Sequence, residues 1–390
     1  MKDNKLNILF LASWYPNAEF SQAGNFIQQH ARAVSNFVNV CVLHVVPVKS
    51  QATFKVTKKW NENVYEVIVY YNKTNSTIPI FSNYQKAKKQ QEAYIIGHQT
   101  ALQELTYFDM VHLNVVYPAG LFASLLLKKY KLPFIITEHW TAFQNSSNNS
   151  WSFIEKYFIK KICNQALKIF PVSENLKNAM IDFGITNSFQ VIPNVVNTNI
   201  FDSKKAYEKK DWIGILHVSN LKDEHKNISG ILSVIKKLSE KRKDFKLTIA
   251  GNGDIEKFQQ KAIELNIPRE VILFEGEKTP KEVAHLMSQN DLFLLFSNYE
   301  NLPCVIAESL IMGVPVLSTN VGGIPEMINE SNGVLINPGR EDELYQSLDD
   351  MLNNITKYDS EKITARAKDI YSHHQIGEMY FDVYKSCLNK

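Results

Sequence analysis

Between Ser297 and Ile328 the chain reads S-N-Y-E-N-L-P-C-V-I-A-E-S-L-I-M-G-V-P-V-L-S-T-N-V-G-G-I-P-E-M-I, a spacing of acids, amides and glycines suited to an elongated polar ligand. A strand over Leu292–Leu295 ends in a polar loop, and a helix follows from Pro303 or Cys304, with Pro303 suited to the first helical position. The free main-chain amides of Asn301, Leu302 and the residues after them would then favour an anion such as a phosphate. Glu308 lies inside that helix among Val305, Ile306, Ala307, Leu310, Ile311 and Met312, with no basic residue within two turns. A carboxylate in such surroundings needs a partner. Hydroxyl donors of a ligand such as a ribose diol, a distant lysine, or water on an exposed polar face would each supply one. Glu300 precedes the helix, and the seven residues between the two acids put one at the helix entrance and the other about two turns in. That separation suits two ends of one long ligand better than a single metal. Gly322-Gly323, before Ile324-Pro325-Glu326, forms a second strand–loop–helix junction, either a close approach of backbone or a plain tight turn.

The elements that must carry these groups alternate along the whole chain. Short β-rich runs at Ile8–Ala12, Val38–Val46, Val64–Tyr71, Met110–Leu113, Phe134–Thr137 and Ile169–Val172 are separated by helical patterns, and the series restarts at Ile213–Val218. Such alternation predicts an α/β chain of two Rossmann-like, doubly wound parallel-sheet domains. Residues 193–211, rich in Asn and Lys and without periodicity, mark the boundary, giving domains over 1–195 and 196–370. The segment 371–390, with Ile376, Met379, Tyr380, Val383 and Tyr384 at helical spacing, is predicted to pack back on the first domain. Open parallel sheets bind ligands at the carboxyl ends of their strands, so the site is expected there, in a central cleft between the two domains.

With 45% hydrophobic and 21% charged residues the composition is ordinary for a soluble globular protein and wrong for disorder, and no apolar run approaches the roughly 20 residues of a spanning helix. The four cysteines are scattered, so neither a metal ribbon nor a disulfide framework is expected, and the compartment reads as cytoplasmic. The net charge of +3 conceals an asymmetry, +8 over residues 1–190 and −5 over the rest. Lysines cluster at Lys55, Lys58 and Lys59, at Lys86, Lys88 and Lys89, and at Lys128, Lys129 and Lys131. They read equally as solvated faces or as a patch for the inner face of a membrane or an anionic acceptor. Only five of the 43 basic residues are Arg and no basic–aromatic motif occurs, which speaks against nucleic acid. Gly251-Asn252-Gly253 starts like a dinucleotide fingerprint, but position 256 is Glu, and no phosphate-binding G-x-x-x-x-G-K-[ST] or H-E-x-x-H occurs.

The E-x7-E pair, the G-V-P-V strand after it and the G-G-x-P-E loop resemble the donor-site region of the retaining glycosyltransferases of family 4, enzymes of the GT-B fold. Ala23–Phe26 resembles the family's glycine loop, and Thr137–Trp140 its strand-end histidine segment. Pro171–Leu176, Ile192–Asn197, His217–Asn227 and Ile249–Asp254 match further landmarks in the family's order. The resemblance implies that Glu308 holds the nucleotide ribose, Glu300 contacts donor-sugar hydroxyls, and Lys226 neutralises the diphosphate leaving group. It also implies that Gly24 lets a loop close over the phosphates, and that His139 faces the sugar and stabilises charge at its anomeric carbon. Gly251, Asn301, Leu302 and Pro303 complete the expected donor site, with no bound metal and no cofactor beyond the nucleotide sugar, a UDP-sugar ahead of a GDP-sugar. The family's Arg six residues before the lysine is Asn220 here, which removes a fixed bidentate cation; Lys222 or the helix amides would take over its charge. The implied partners are the donor and a glycan or lipid-linked acceptor. Competing readings are another GT-B enzyme, such as a nucleotide-sugar epimerase or phosphorylase, and a non-catalytic donor-binding paralogue.

Overall fold

The computed structural model describes residues 5–49, 54–72, 79–144, 151–202 and 210–389. Its chain forms two units, Met1–Val172 with Leu176–Pro193 and His373–Lys390, and Ser173–Asn175 with Asn194–Ser372. Within the expected boundary segment, residues 203–209 lie outside the described residues.

The first unit is built on seven strands: β1 (Asn7–Ala12), β2 (Asn39–Val48), β3 (Phe54–Asn61), β4 (Val64–Asn72), β5 (Met110–Asn114), β6 (Phe134–Glu138) and β7 (Ile169–Pro171). They lie in the order β3-β4-β2-β1-β5-β6-β7. All pairs are parallel except β3 with β4, an added hairpin at one edge. Helices α1 (Asn25–Ser35), α2 (Pro79–Glu104), α3 (Gly120–Tyr130), α4 (Phe153–Gln165) and α5 (Glu174–Asp182) follow the strands in sequence. β1 is buried along its whole length, which is why its N-I-L-F-L-A reads as a continuous apolar run rather than an alternation.

The second unit repeats the plan. Strands β8 (Ile213–Ser219), β9 (Phe245–Gly251), β10 (Ile272–Gly276), β11 (Leu292–Leu295), β12 (Val316–Thr319) and β13 (Gly333–Ile336) form an all-parallel sheet in the order β10-β9-β8-β11-β12-β13. Its helices are α6 (Asp223–Lys226), α7 (Ile228–Lys241), α8 (Ile255–Glu264), α9 (Pro280–Gln289), α10 (Cys304–Ile311), α11 (Glu341–Asn353) and α12 (Ser360–Tyr371). Apart from the hairpin, each sheet grows first one way and then the other from its first strand, so each has a switch point: between β1 and β5, and between β8 and β11. At such a point neighbouring loops leave in opposite directions and open a crevice.

The last helix, α13 (His373–Leu388), lies in the first unit with Ile376, Tyr380, Val383 and Tyr384 buried. A polar chain fixes it beneath the sheet. His112 Nδ1 meets the Tyr384 hydroxyl at 2.6 Å, His112 Nε2 meets Thr137 Oγ1 at 2.6 Å, and that hydroxyl meets Tyr380 at 2.7 Å. All four residues are buried, so each group depends on the others for its hydrogen bonds. Burial holds His112 well below the usual histidine range, so the ring stays neutral and donates from one nitrogen while accepting at the other. Thr137→Val keeps the shape and removes the shared hydroxyl, leaving the imidazole and Tyr380 short of a partner. Urea unfolding should show a loss of about 2 to 4 kcal/mol; a loss under about 0.5 kcal/mol would mean that the chain of bonds does not hold α13.

Candidate functional site

At the switch point of the second unit the end of β8 is shaped by His217. Its Nδ1 bonds the Leu294 carbonyl of β11 at 2.9 Å and its Nε2 bonds Ser219 Oγ at 2.8 Å. The same hydroxyl accepts from the Leu221 amide at 3.1 Å, drawing the chain into a turn with Leu221 at φ 49°. Asn220 is exposed on this turn, its side-chain oxygen 3.3 Å from the Lys222 amide. Beside it Gly251 ends β9 at φ 147°; a Cβ there would stand 1.7 Å from the Ser219 carbonyl oxygen, so only glycine lets the two strand ends close together. A cleft of about 640 Å³ opens at these ends, lined by Asn220, Lys222, Glu224, Asn252, Lys257 and Phe258 among others.

The one-turn helix α6 ends on Lys226 and is held from both sides. Asp223 accepts from the amide and hydroxyl of Ser229 at 2.8 and 2.6 Å. From the loop after β11, the Asn298 amide donates to the His225 carbonyl at 2.7 Å and the Asn298 side chain to the Glu224 carbonyl at 3.0 Å. Lys226 thereby meets Glu300 in an ion pair, and Ser297 Oγ donates to the same carboxylate oxygen at 2.8 Å. The two side chains are 14% and 10% exposed, so the pair is shielded yet reachable from solvent.

Glu300 is positioned by main chain as well. The Gly323 amide donates to the Asn301 carbonyl at 2.7 Å, and a Cβ on Gly322 would come within 2.0 Å of the Glu300 carbonyl oxygen. The Leu302 carbonyl accepts from the Asn194 side chain at 2.7 Å. Helix α10 then starts at Cys304. Pro303 stands one place earlier than the first helical position, as the cap, because its ψ of 118° is extended. Four residues into the helix Glu308 is partly buried, and among the described residues its carboxylate has no hydrogen-bond or ion-pair partner. Apolar surroundings push its carboxyl up to about 7. Among the described residues no lysine pairs with it, and Lys226, the cation of this region, is taken by Glu300.

Among the residues picked out from the sequence, Asn220, Lys226, Gly251, Glu300, Asn301, Leu302, Pro303 and Glu308 all lie around this strand-end region of the second unit. Gly24 and His139 belong to the first unit, at its own strand ends. Gly24 caps α1 at φ 67°, and a Cβ there would lie 2.5 Å from the Trp14 carbonyl, so its immediate role is to seat α1 against the loop after β1. His139 is buried, its ring 4.5 Å from Phe26 and 5.2 Å from His30. Just before it, Glu138 is fully buried and accepts from the amides of Val116, His139 and Trp140 at 2.9 Å each. Sequence reasoning gave no role to Glu138, Ser297, Asn298 or Asn194, although all four lie inside segments it singled out. Glu326, noted in the glycine junction, accepts from the amides of Glu174 and Asn175 at 2.7 and 2.8 Å. Among the described residues no group of three or more His, Cys, Asp or Glu could hold a metal ion, and no helix is long and apolar enough to cross a membrane.

The Glu308 environment makes a prediction for the ligand-free protein. An acid whose folded pKa is raised binds its proton more tightly when folded, so its burial costs nothing below about pH 4.5 and costs most above about 7. Glu308→Gln should therefore raise stability above pH 7 by on the order of 1 to 3 kcal/mol and leave it unchanged at pH 4. Denaturation at the two pH values checks this; an equal gain at both would place the effect in packing instead.

Two family models match the chain: Glycosyltransferase Family 4 over residues 57–200 and Glycosyl transferases group 1 over residues 198–369. An uncharacterized glycosyltransferase of Methanocaldococcus jannaschii is 25% identical over 297 residues, 76% of this chain and 78% of that protein. The putative teichuronic acid biosynthesis glycosyltransferase TuaC of Bacillus subtilis is 21% identical over 382 residues, 92% of this chain and 90% of that one. Among solved structures, Anabaena HepE in complex with UDP and glucose superposes with a TM-score of 0.70 at 16% identity, over 98% of this chain and 100% of that one. At that identity the likeness establishes the fold, the GT-B type with two parallel-sheet domains. Together the two models run over residues 57–369, and the chain is an enzyme, a glycosyltransferase of the family 4 type.

Proposed function

We propose that the enzyme moves a sugar from a nucleotide diphosphate donor, a UDP-sugar ahead of a GDP-sugar, to a glycan or lipid-linked acceptor. The anomeric configuration is retained, no metal is needed, and the product is a surface polysaccharide or other glycoconjugate. The observation that carries this reading is Glu308, a partly buried carboxylate without a partner among the described residues, on the helix that follows the Lys226–Glu300 pair. Ionised, it offers two acceptor oxygens to a vicinal diol, which the ribose of a nucleotide supplies. The UDP and glucose held by HepE and the teichuronic acid biosynthesis in the name of TuaC support the same direction.

In this mechanism Lys226 turns from Glu300 to the diphosphate oxygens as charge gathers there on departure. The amides at the start of α10 share that charge. Glu300, released from its pair, takes sugar hydroxyls and fixes the ring. His139 faces the positive charge that develops at the anomeric carbon. The acceptor hydroxyl attacks on the face the diphosphate leaves, and its proton passes to the departing phosphate oxygen. The lysine-rich first unit keeps the enzyme peripherally at the cytoplasmic face of the membrane, near a lipid-linked acceptor.

The Asn220 position favours a second reading. Where the family places a guanidinium, this chain has a neutral, exposed amide turned to its own backbone. A subunit that binds donor without transferring sugar would have that feature.

Thermal unfolding with UDP-, GDP- and ADP-sugars separates these readings. At a hundred times its Kd a true donor adds about 2.7 kcal/mol. One nucleotide class should stabilise the wild type, and Glu308→Ala should abolish the shift. Because the diol needs the ionised carboxylate, donor affinity should rise with pH through about 7 and then level, while Glu308→Gln shows no such rise. No shift with any nucleotide sugar would sink the donor-site reading, and a shift without transfer to any acceptor would favour the binding subunit.

A further inference from the structure

Helix α4 of the first unit exposes large apolar side chains along two turns. Phe153 is 86% exposed, Ile154 66% and Tyr157 56%, with Phe158 beside them and its ring 5.6 Å from that of Tyr157. At positions i, i+1, i+4 and i+5 these four share one face, while Ile159, Ile162 and Cys163 turn the other face into the core.

This exposure is not fraying of a helix end. Ser152 and Glu155 form a reciprocal capping box, the Ser152 amide donating to the Glu155 carboxylate at 3.0 Å and the Glu155 amide to Ser152 Oγ at 3.2 Å. One residue earlier Trp151 is locked edge-on against Trp140 at 4.8 Å, and its Nε1 donates to the Ala142 carbonyl at 3.1 Å. Trp140 in turn packs on Trp14 at 5.6 Å, next to Phe26 and the His139 ring. A rigid aromatic pedestal therefore holds the apolar face at the strand-end side of the sheet, close to His139.

The charges around the face select its occupant. Lys156, Lys160 and Lys161 flank it, with Lys161 Nζ 6.0 Å from the Tyr157 ring and Lys160 Nζ 5.6 Å from that of Phe183. The one acid on the same turns, Glu155, is bound up in the cap. A second copy of the chain docking through this face would set lysine against lysine. An anionic bilayer meets both needs, with headgroups for the lysines and acyl chains for the rings and Ile154. We infer that α4 is the membrane-docking element of this enzyme, inserting Phe153, Ile154 and Tyr157 into an anionic leaflet so that a lipid-linked acceptor is delivered to the His139 side of the first unit. The inference deepens the lipid-linked acceptor reading and rests on it for its purpose, but the docking itself needs neither donor nor acceptor.

Flotation of the full chain with phosphatidylcholine vesicles, with and without phosphatidylglycerol, tests it in the absence of any substrate. Wild type should float with the phosphatidylglycerol vesicles, less so at high salt, and not with phosphatidylcholine alone. F153S/I154S and, separately, K156E/K161E should each reduce the bound fraction about tenfold or more while unfolding at the wild-type temperature. K281E, at an exposed lysine on α9 of the second unit, should bind like wild type. Failure of the wild type to bind phosphatidylglycerol vesicles overturns the inference, and so does undiminished binding by the α4 variants. A dimer in sedimentation that F153S/I154S splits, with no vesicle binding, overturns it in favour of self-association. Because donor stabilisation is read separately, a negative flotation result leaves the sugar-transfer reading standing, and loss of donor binding leaves the flotation result standing.

Discussion

The geometry of the donor-side region depends on one close approach of main chain, the loop after β12 pressed against the loop after β11. Gly322 and Gly323 come so near Glu300 and Asn301 that a single methyl group at either would strike a carbonyl oxygen. The Gly323 amide closes the gap with a bond to Asn301. Two loops that leave neighbouring parallel strands are thereby turned into one rigid edge. Glu300 stands on that edge, Lys226 reaches it from α6, and α10 begins three residues beyond it, at a cap fixed by the preceding loop. Parallel strand pairing alone would bring these loops to the same end of the sheet; the glycines convert neighbourhood into fixed distances.

On this edge the charges are unevenly satisfied. Glu300 has both a cation and a hydroxyl, while Glu308 has neither among the described residues and its carboxyl is pushed up to about 7 by burial. Such an imbalance has a cost in the free protein, because a group that titrates upward on burial works against folding at neutral pH. Natural chains retain costs of this kind where they are offset on binding. The reverse holds for Glu66 in the first unit, whose buried carboxylate receives Tyr15, Gln28 and Asn61 on one oxygen at 2.8 to 3.1 Å and has Lys59 3.5 Å from the other. Burial of an acid is therefore not the signal; burial without donors is.

The sequence carried the strand–helix alternation, and with it the doubly wound sheets and α13, because both faces of each central strand are buried and the apolar runs are unmistakable. Edge strands β7 and β10 were readable too, but β3, β13 and the connecting helix α12 were not. β3 shows Lys55, Lys58, Lys59 and Trp60 to solvent and looks like a charged loop; β13 has four residues; α12 is polar enough to pass for a connection. The acids and the lysine of the donor region could be named because a motif groups them. What holds them could not, since Asn194 bonds the Leu302 carbonyl across 108 positions and Asn298 bonds Glu224 across 74. A side-chain amide bonded to a distant carbonyl leaves no trace in spacing or composition.

Glu138 shows how the first unit solves the same positioning problem by different means. There the strand-end loop is organised by one carboxylate that gathers three amides, two from the residues that follow it and one from Val116 after the neighbouring strand. Burial pushes this acid up to about 7 while the three amides pull it down. The balance ties β5 and β6 together at the one place where His139 and Trp140 emerge. Trp140 then passes the constraint outward through Trp151 to the capped start of α4. An unbroken series of contacts thus runs from the buried carboxylate, through the loop that carries the histidine, to the capped start of the exposed apolar helix.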